Sequence, residues 1–504
     1  MPRDVAFDDV HAVFAALAKG VLGPRYSTDL PRRMYDTTRF FPSEAERSRI
    51  LGVFKAMSSR AGALALTGKA VPVSWLTPAE AERVVAKWRD SRLPLQRQLA
   101  GAVISLASNC LYGYPTPEWD RFNYAGPLSD PPAAGTDGLS PKTFDSDTEL
   151  ECDVVIVGSG AGGGCAAAVL AEAGLDVVVL EKGGHYEEKD FHHLESQAMQ
   201  EMYLYGGALL TNRMTCRIIA GSAIGGGTLV NYATAWKTPE PVLRDWHRVS
   251  GIDAFVNGEI QASLDVVGER VNINHDETAP GRRDALIEEG LTKLGWHVDV
   301  FPKAVKGCRQ DASCGYCGFG CRVGAKQGTM KTFLPDAVGA GARLYSGTDV
   351  HRVTIKDGRA IGVEGSAGPY RFSVRARSVV VAGGSIETPA LLLRSGLKGR
   401  VGHDLRLHPG TPAWAFFDEE VRAWDGTTQT RYSFELARAD DHYGATLETV
   451  PVHPGAAGGV LPWLSEKEHR TMMNKLDRLG FCGVLARDTT SGRVSINKDG
   501  SPKI

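Results

Sequence analysis

Residues 153–181, DVVIVGSGAGGGCAAAVLAEAGLDVVVLE, place three glycines and one carboxylate at spacings with a chemical use. Gly158, Gly160 and Gly163 form G-x-G-x-x-G between the apolar run Val154-Val155-Ile156-Val157 and an Ala-rich helix. In such a turn Gly158 permits the tight bend, Gly160 lets backbone approach a pyrophosphate, and Gly163 lets helix and strand pack closely. The helix N-terminus then offers free N–H groups and a positive dipole to phosphate. A second run, Val177-Val178-Val179-Leu180, ends on Glu181, where a carboxylate would accept hydrogen bonds from a ribose hydroxyl. A Gly-rich turn alone is weak evidence. Strand, glycines, helix, strand and acid in that order point to a dinucleotide site.

Four thiols form the second constellation. Cys308, Cys314, Cys317 and Cys321 read C-x5-C-x2-C-x3-C in a Gly-rich segment. Such a set could ligate zinc or an iron–sulfur cluster, though the spacing matches no common ferredoxin pattern. A redox-active C-x2-C pair and plain structural thiols are the alternatives.

These groups need elements to hold them. Residues 1–125 read as a helical module: Ser43-Glu44-Ala45-Glu46 and Thr77-Pro78-Ala79-Glu80 both fit capping boxes. The aromatics Trp119, Phe122 and Tyr124 are expected to pack against the next domain. Residues 126–150 are rich in Pro, Gly, Ser and Asp and read as a linker. A second Gly-rich stretch at 221–231 suits backbone passing a flat ligand. Runs 349–355 and 360–364 flank Lys356-Asp357-Gly358-Arg359, a hairpin signature, and Val379-Val380-Val381 leads through Gly383 into a helix as a late return to the same sheet. Alternation such as Tyr432-Ser433-Phe434-Glu435-Leu436 suits an antiparallel sheet with one wet face.

Composition narrows the class. The chain has 504 residues, enough for two or three domains. A net charge of −2 without a polybasic run gives no nucleic-acid footprint. No stretch approaches the roughly 18 apolar residues of a spanning helix, and the N-terminus does not read as a secretory signal. Nine cysteines in a long chain do not suggest a disulfide scaffold, so the expected compartment is the cytoplasm.

With these motifs laid out, the chain resembles the glucose–methanol–choline (GMC) oxidoreductases, and within them the long-chain alcohol oxidase branch. The resemblance rests on GSGAGGG at 158–164, GSAIGGGTLVNYATAWKTP from Gly221, CGYCGFGCRVGAKQGTMKTFLPDA from Cys314, VVVAGGSIETPALLLRSGL from Val379 and VGHDLRLHPG from Val401. It implies an α/β fold: an FAD-binding doubly wound domain (151–400, carrying the cysteine loop), an antiparallel substrate sheet (401–486) and a return to the FAD domain from 487.

The resemblance also implies FAD on the first turn, with Glu181 at the adenosine ribose and Val350 at the adenine. Gly226, Thr228 and Asn231 would lie toward the flavin, and Gly383 on the return strand. The implied reaction is hydride transfer from a primary, long-chain alcohol to flavin, with oxygen or an electron carrier as acceptor. A lipid-borne substrate leaves room for a peripheral membrane contact. Alternatives are a family dehydrogenase for sterols, sugars or other alcohols, and a non-catalytic flavin-binding fragment. The family's catalytic histidine stretch has no match before Ile504, so a C-terminally incomplete chain with poor turnover of its own is expected. His408 is expected to be structural.

Overall fold

The computed structural model describes residues 5–128, 132, 138–437, 444–488 and 490–504. Parts of the expected linker (129–131 and 133–137), of the expected substrate sheet (438–443) and Thr489 lie outside the described residues.

The N-terminal helices form one packed layer. Helix α1, Phe7–Leu22, has Asp8 and Asp9 in its first turn and Lys19 in its last, matching the helix dipole. It buries Val10, Val13, Phe14 and Leu17, a stripe at helical spacing, against α2, Pro78–Arg89, and α3, Pro94–Tyr112. Thr77 and Glu80 close the expected capping box. The box at Ser43 is only half formed: Ser43 Oγ accepts from Glu46 N–H, but the hydroxyl donates to Asp499 near the C-terminus. Tyr124 packs edge-on against Trp424 at 5.2 Å and Trp119 edge-on against Tyr124, so the aromatic cluster joins this layer to residues far along the chain.

The principal sheet has six strands: β1 Thr148–Val157, β2 Val177–Leu180, β3 Arg343–Tyr345, β4 Asp349–Lys356, β5 Arg359–Ala367 and β6 Tyr370–Val381, in the order β3-β2-β1-β6-β5-β4. Strands β3, β2, β1 and β6 are parallel, with Val155 between Val178 and Val379. The β-branched runs fit this place because both faces are covered. Val154, Ile156, Val177 and Val179 face the helical core, whereas Val155, Val157, Val178 and Leu180 face a second cluster with Phe372 and Tyr345. Strands β4, β5 and β6 form an antiparallel meander, and Asp357 and Gly358 both take positive φ (51° and 76°) at its first turn. That turn matches the right-handed strand twist.

A second sheet is antiparallel and combines Gly410–Phe416, Leu479–Ala486, Ala445–Thr449, Arg431–Ser433 and the short strand Asp299–Val300. The alternation read at 432–436 overstates its strand, which ends at Ser433 with all three residues buried. No helix among the described residues is long and apolar enough to cross a membrane.

Candidate functional site: a glycine-walled cavity

A cavity of about 500 Å³ opens at the C-terminal ends of β1, β2 and β6. Open parallel sheets bind ligands at this edge. The turn after β1 enters helix α4, Ala161–Glu172, whose N-cap is Gly160 and which no side chain caps. Gly158 holds φ +101°, and a Cβ there would lie 2.5 Å from the Ala382 carbonyl oxygen. A Cβ on Gly163 would lie 1.9 Å from the Gly158 oxygen. These two glycines are required by the protein's own packing.

Gly162 and Gly227 also line the cavity, but a Cβ on either would meet no protein atom within 4 Å. Neither has the positive φ that demands glycine. Their bareness leaves a smooth backbone wall for a ligand, and uncapped α4 supplies amides and a dipole to an anion. The residues therefore fit a dinucleotide.

Glu181 is buried, and its carboxylate is largely engaged within the protein. Oε2 accepts from Ser159 N–H (2.9 Å) and Ser159 Oγ (2.7 Å), and Oε1 accepts from Gly183 N–H (2.9 Å). Burial raises its pKa against these bonds. Three of a carboxylate's roughly four acceptor positions are filled, which leaves one for a hydroxyl. Ser159 Oγ also accepts from Gly225 N–H at 3.0 Å, joining the two Gly-rich loops.

Of the residues expected at the cofactor, Gly158, Gly160, Glu181, Gly226, Val350 and Gly383 line the cavity. Val350 lies at a register shift between β4 and β5, a bulge at the cavity wall. Gly163 lies behind the wall. Thr228 and Asn231 are not brought to it. Thr228 Oγ1 donates to Gly225 O (2.6 Å) and accepts from Thr329 N–H (3.0 Å), fastening the second loop, while Asn231 is exposed with its side-chain oxygen on Ala233 N–H. His408, expected to be structural, is exposed and lines the cavity.

The cysteine loop requires a correction. Among the described residues no group of three or more His, Cys, Asp or Glu side chains converges to hold a metal ion. A zinc or iron–sulfur site at Cys308, Cys314, Cys317 and Cys321 is therefore unsupported, and all four are free thiols. Burial, followed by the neighbouring thiols, pushes the Cys308 thiol up to about 11 and raises those of Cys314 and Cys321.

What holds the loop is polar side chains reaching its carbonyls. The fully enclosed Lys326 ammonium donates to Cys317 O (2.6 Å), Leu229 O (2.6 Å) and Asn231 O (2.7 Å), tying the loop to the second glycine loop. His193 and His453 bond through Nε2 to the carbonyls of Gly320 (3.1 Å) and Gly315 (3.0 Å). Burial lowers both imidazoles, to about 3 and about 4. Sequence reading missed Ser159, Lys326 and both histidines. Only Ser159, lying between two motif glycines, carried a local signal.

A parallel sheet with a Gly turn, an uncapped helix N-terminus and an acid ending the second strand defines a dinucleotide-binding fold. The FAD-binding domain family matches residues 153–188 and the GMC oxidoreductase family residues 199–410. The chain carries a GMC oxidoreductase domain and an FAD-binding domain, and the latter implies FAD as cofactor. It is 36% identical over 362 residues to long-chain-alcohol oxidase FAO4A of Arabidopsis thaliana, covering 69% of this chain and 49% of that one. Against long-chain-alcohol oxidase FAO1 of the same plant it is 32% identical over 367 residues, covering 69% and 48%. The chain spans about half the length of these curated relatives. The solved formate oxidase of Aspergillus oryzae RIB40 shares the fold, with TM-score 0.52 and 16% identity over 71% of this chain and 77% of that chain.

Proposed function

We propose that this chain binds FAD in the glycine-walled cavity and serves the oxidation of the CH–OH group of a primary, long-chain aliphatic alcohol to an aldehyde. Bound FAD supplies the hydride acceptor. The chain's own part is to bind and orient. The amides of α4 meet the pyrophosphate, Glu181 takes a ribose hydroxyl, and Val350 and the end of β4 receive the adenosine. Gly226 and Gly227 provide a wall without side chains. The alcohol loses a hydride and its hydroxyl proton, the aldehyde is released, and the two electrons pass on to oxygen or to a carrier protein.

The observation that carries the alcohol reading is the 36% identity to a long-chain-alcohol oxidase over 69% of this chain. The test is anaerobic single-turnover bleaching of flavin absorbance in the FAD-loaded chain with dodecan-1-ol, cholesterol and glucose, read in one turnover so that a slow step is still visible. Faster bleaching with dodecan-1-ol is the expected result. Preference for the sterol or the sugar, or no bleaching with any of them, counts against the reading. Reoxidation by oxygen compared with a dye then separates oxidase from dehydrogenase.

A further inference from the structure

Several charged groups in the cavity wall have no part in the reading above, Arg394 among them. Arg394, the last residue of helix α5, Gly384–Arg394, lines the cavity with Glu387 of the same helix. Its guanidinium is pinned by its edges from three directions. Nε donates to His351 O (3.1 Å), Nη1 donates to Gly500 O (3.2 Å), and Nη2 lies 3.5 Å from Glu387 Oε2. Glu387 is fixed in turn, because Tyr205 Oη donates to its Oε1 at 2.6 Å. Tyr205 holds a left-handed backbone (φ 52°), followed by Gly206 and Gly207 in the same region. A non-glycine residue there costs about 1–3 kcal/mol, so the surroundings must hold this tyrosine in place.

The contact with His351 puts Arg394 beside Val350, where the reading above has the adenosine. A guanidinium held by its edges keeps its flat faces free, and such faces stack on aromatic rings. We infer that Arg394, fixed by Glu387 and Tyr205, is the residue that stacks on the adenine ring and makes this chain select FAD over FMN. The inference rests on FAD being the ligand of the cavity.

The test measures dissociation constants of FAD and FMN by flavin fluorescence quenching, and of ADP by competition. The parent chain is compared with Arg394→Ala, Arg394→Lys and Glu387→Gln. Arg394→Ala is expected to weaken FAD and ADP by about tenfold and to leave FMN, which has no adenosine, within about twofold. Arg394→Lys keeps the charge but not the plane and should weaken FAD as Ala does. Glu387→Gln should give a smaller loss of the same pattern. An FAD constant unchanged in Arg394→Ala overturns the inference, as does FMN weakened by the same factor, or full rescue by Lys. Failure of the parent chain to bind FAD would instead overturn the reading beneath it.

Discussion

The glycine turn at 158–163 and the cysteine loop at 308–321 are both small-residue segments beside the second glycine loop, yet they are fixed by different forces. The turn is fixed by sterics, since a side chain at Gly158 would strike the Ala382 carbonyl oxygen just past β6 and one at Gly163 the Gly158 carbonyl oxygen. The loop is fixed from outside, by Lys326, His193 and His453 donating to its backbone, and by Gly315, where a Cβ would lie 1.9 Å from Trp424 O. Backbone sterics are insensitive to pH and need no titratable partner. Buried ammonium and imidazole donors carry a desolvation cost and a protonation state. The turn should therefore fail chiefly through shape, the loop chiefly through charge.

The sharpest way to break that contrast is to make one substitution at two adjacent glycines. Gly163→Ala forces a Cβ onto the Gly158 carbonyl and should destabilise the chain by about 3 kcal/mol or more, read as a lowered urea midpoint. Gly162→Ala meets no protein atom, and the gain in helix propensity should leave stability equal or up to about 1 kcal/mol higher. FAD affinity should nevertheless fall at Gly162→Ala, because the new methyl occupies cavity wall. Equal effects of the two substitutions on stability would remove the distinction between packing glycines and ligand glycines.

The loop's counterpart is Lys326→Met. The thioether keeps the stem but leaves three enclosed carbonyls without their donor, a loss of about 2–3 kcal/mol. Exchange protection should drop at both 225–231 and 314–321 while 153–181 keeps its own. Loss confined to one loop would show that the ammonium is not the link between them.

These two tests also mark what could be read from sequence. The glycine turn, the β4–β5 hairpin at Asp357-Gly358 and the return strand β6 were legible because each shows a pattern within about ten residues, although Gly158 meets Ala382 and β6 pairs with β1. The cysteine spacing was legible too, but what it meant was not, because convergence of thiols depends on how the loop is pinned. The two histidines that pin the loop lie far away in the chain, His193 on Gly320 and His453 on Gly315, and nearby Lys326 ties it to distant Leu229. Their partners are backbone carbonyls, which every residue has, so no pairing of side-chain types announces them. Glu181 shows the same limit. Its place at the end of β2 was readable, but its use as a bridge to the second loop through Ser159 was not.

Acid should separate the two regions further. His193 and His453 are held neutral when folded, at about 3 and about 4, against about 6.5 when unfolded. A histidine with a lowered folded pKa gives stability that is complete above about pH 6.5 and is lost as pH falls toward the folded value. Asp425, pushed up to about 6, works in the opposite sense between 3.8 and 6, but by a smaller shift. Hydrogen exchange in 308–321, corrected for intrinsic rates, should rise about tenfold between pH 6.5 and 4.5. Residues 153–181 should change less. Uniform change across both segments would tie the loop's acid response to global unfolding.

The smallest effect is expected at the thiol that the spacing first brought forward. Lys326 donates to the carbonyl of Cys317, not to its sulfur, and the side chain is only partly buried. Cys317→Ser keeps that carbonyl and should change stability by no more than about 0.5 kcal/mol. Iron and zinc per chain, measured by elemental analysis on the parent and the variant, should be the same. A fall in either metal on losing this one sulfur would mean that the loop is organised by a ligated ion after all. The lysine and histidine donors would then be supports for a metal centre, and the division between a region held by shape and a region held by charge would give way to one between two cofactor sites.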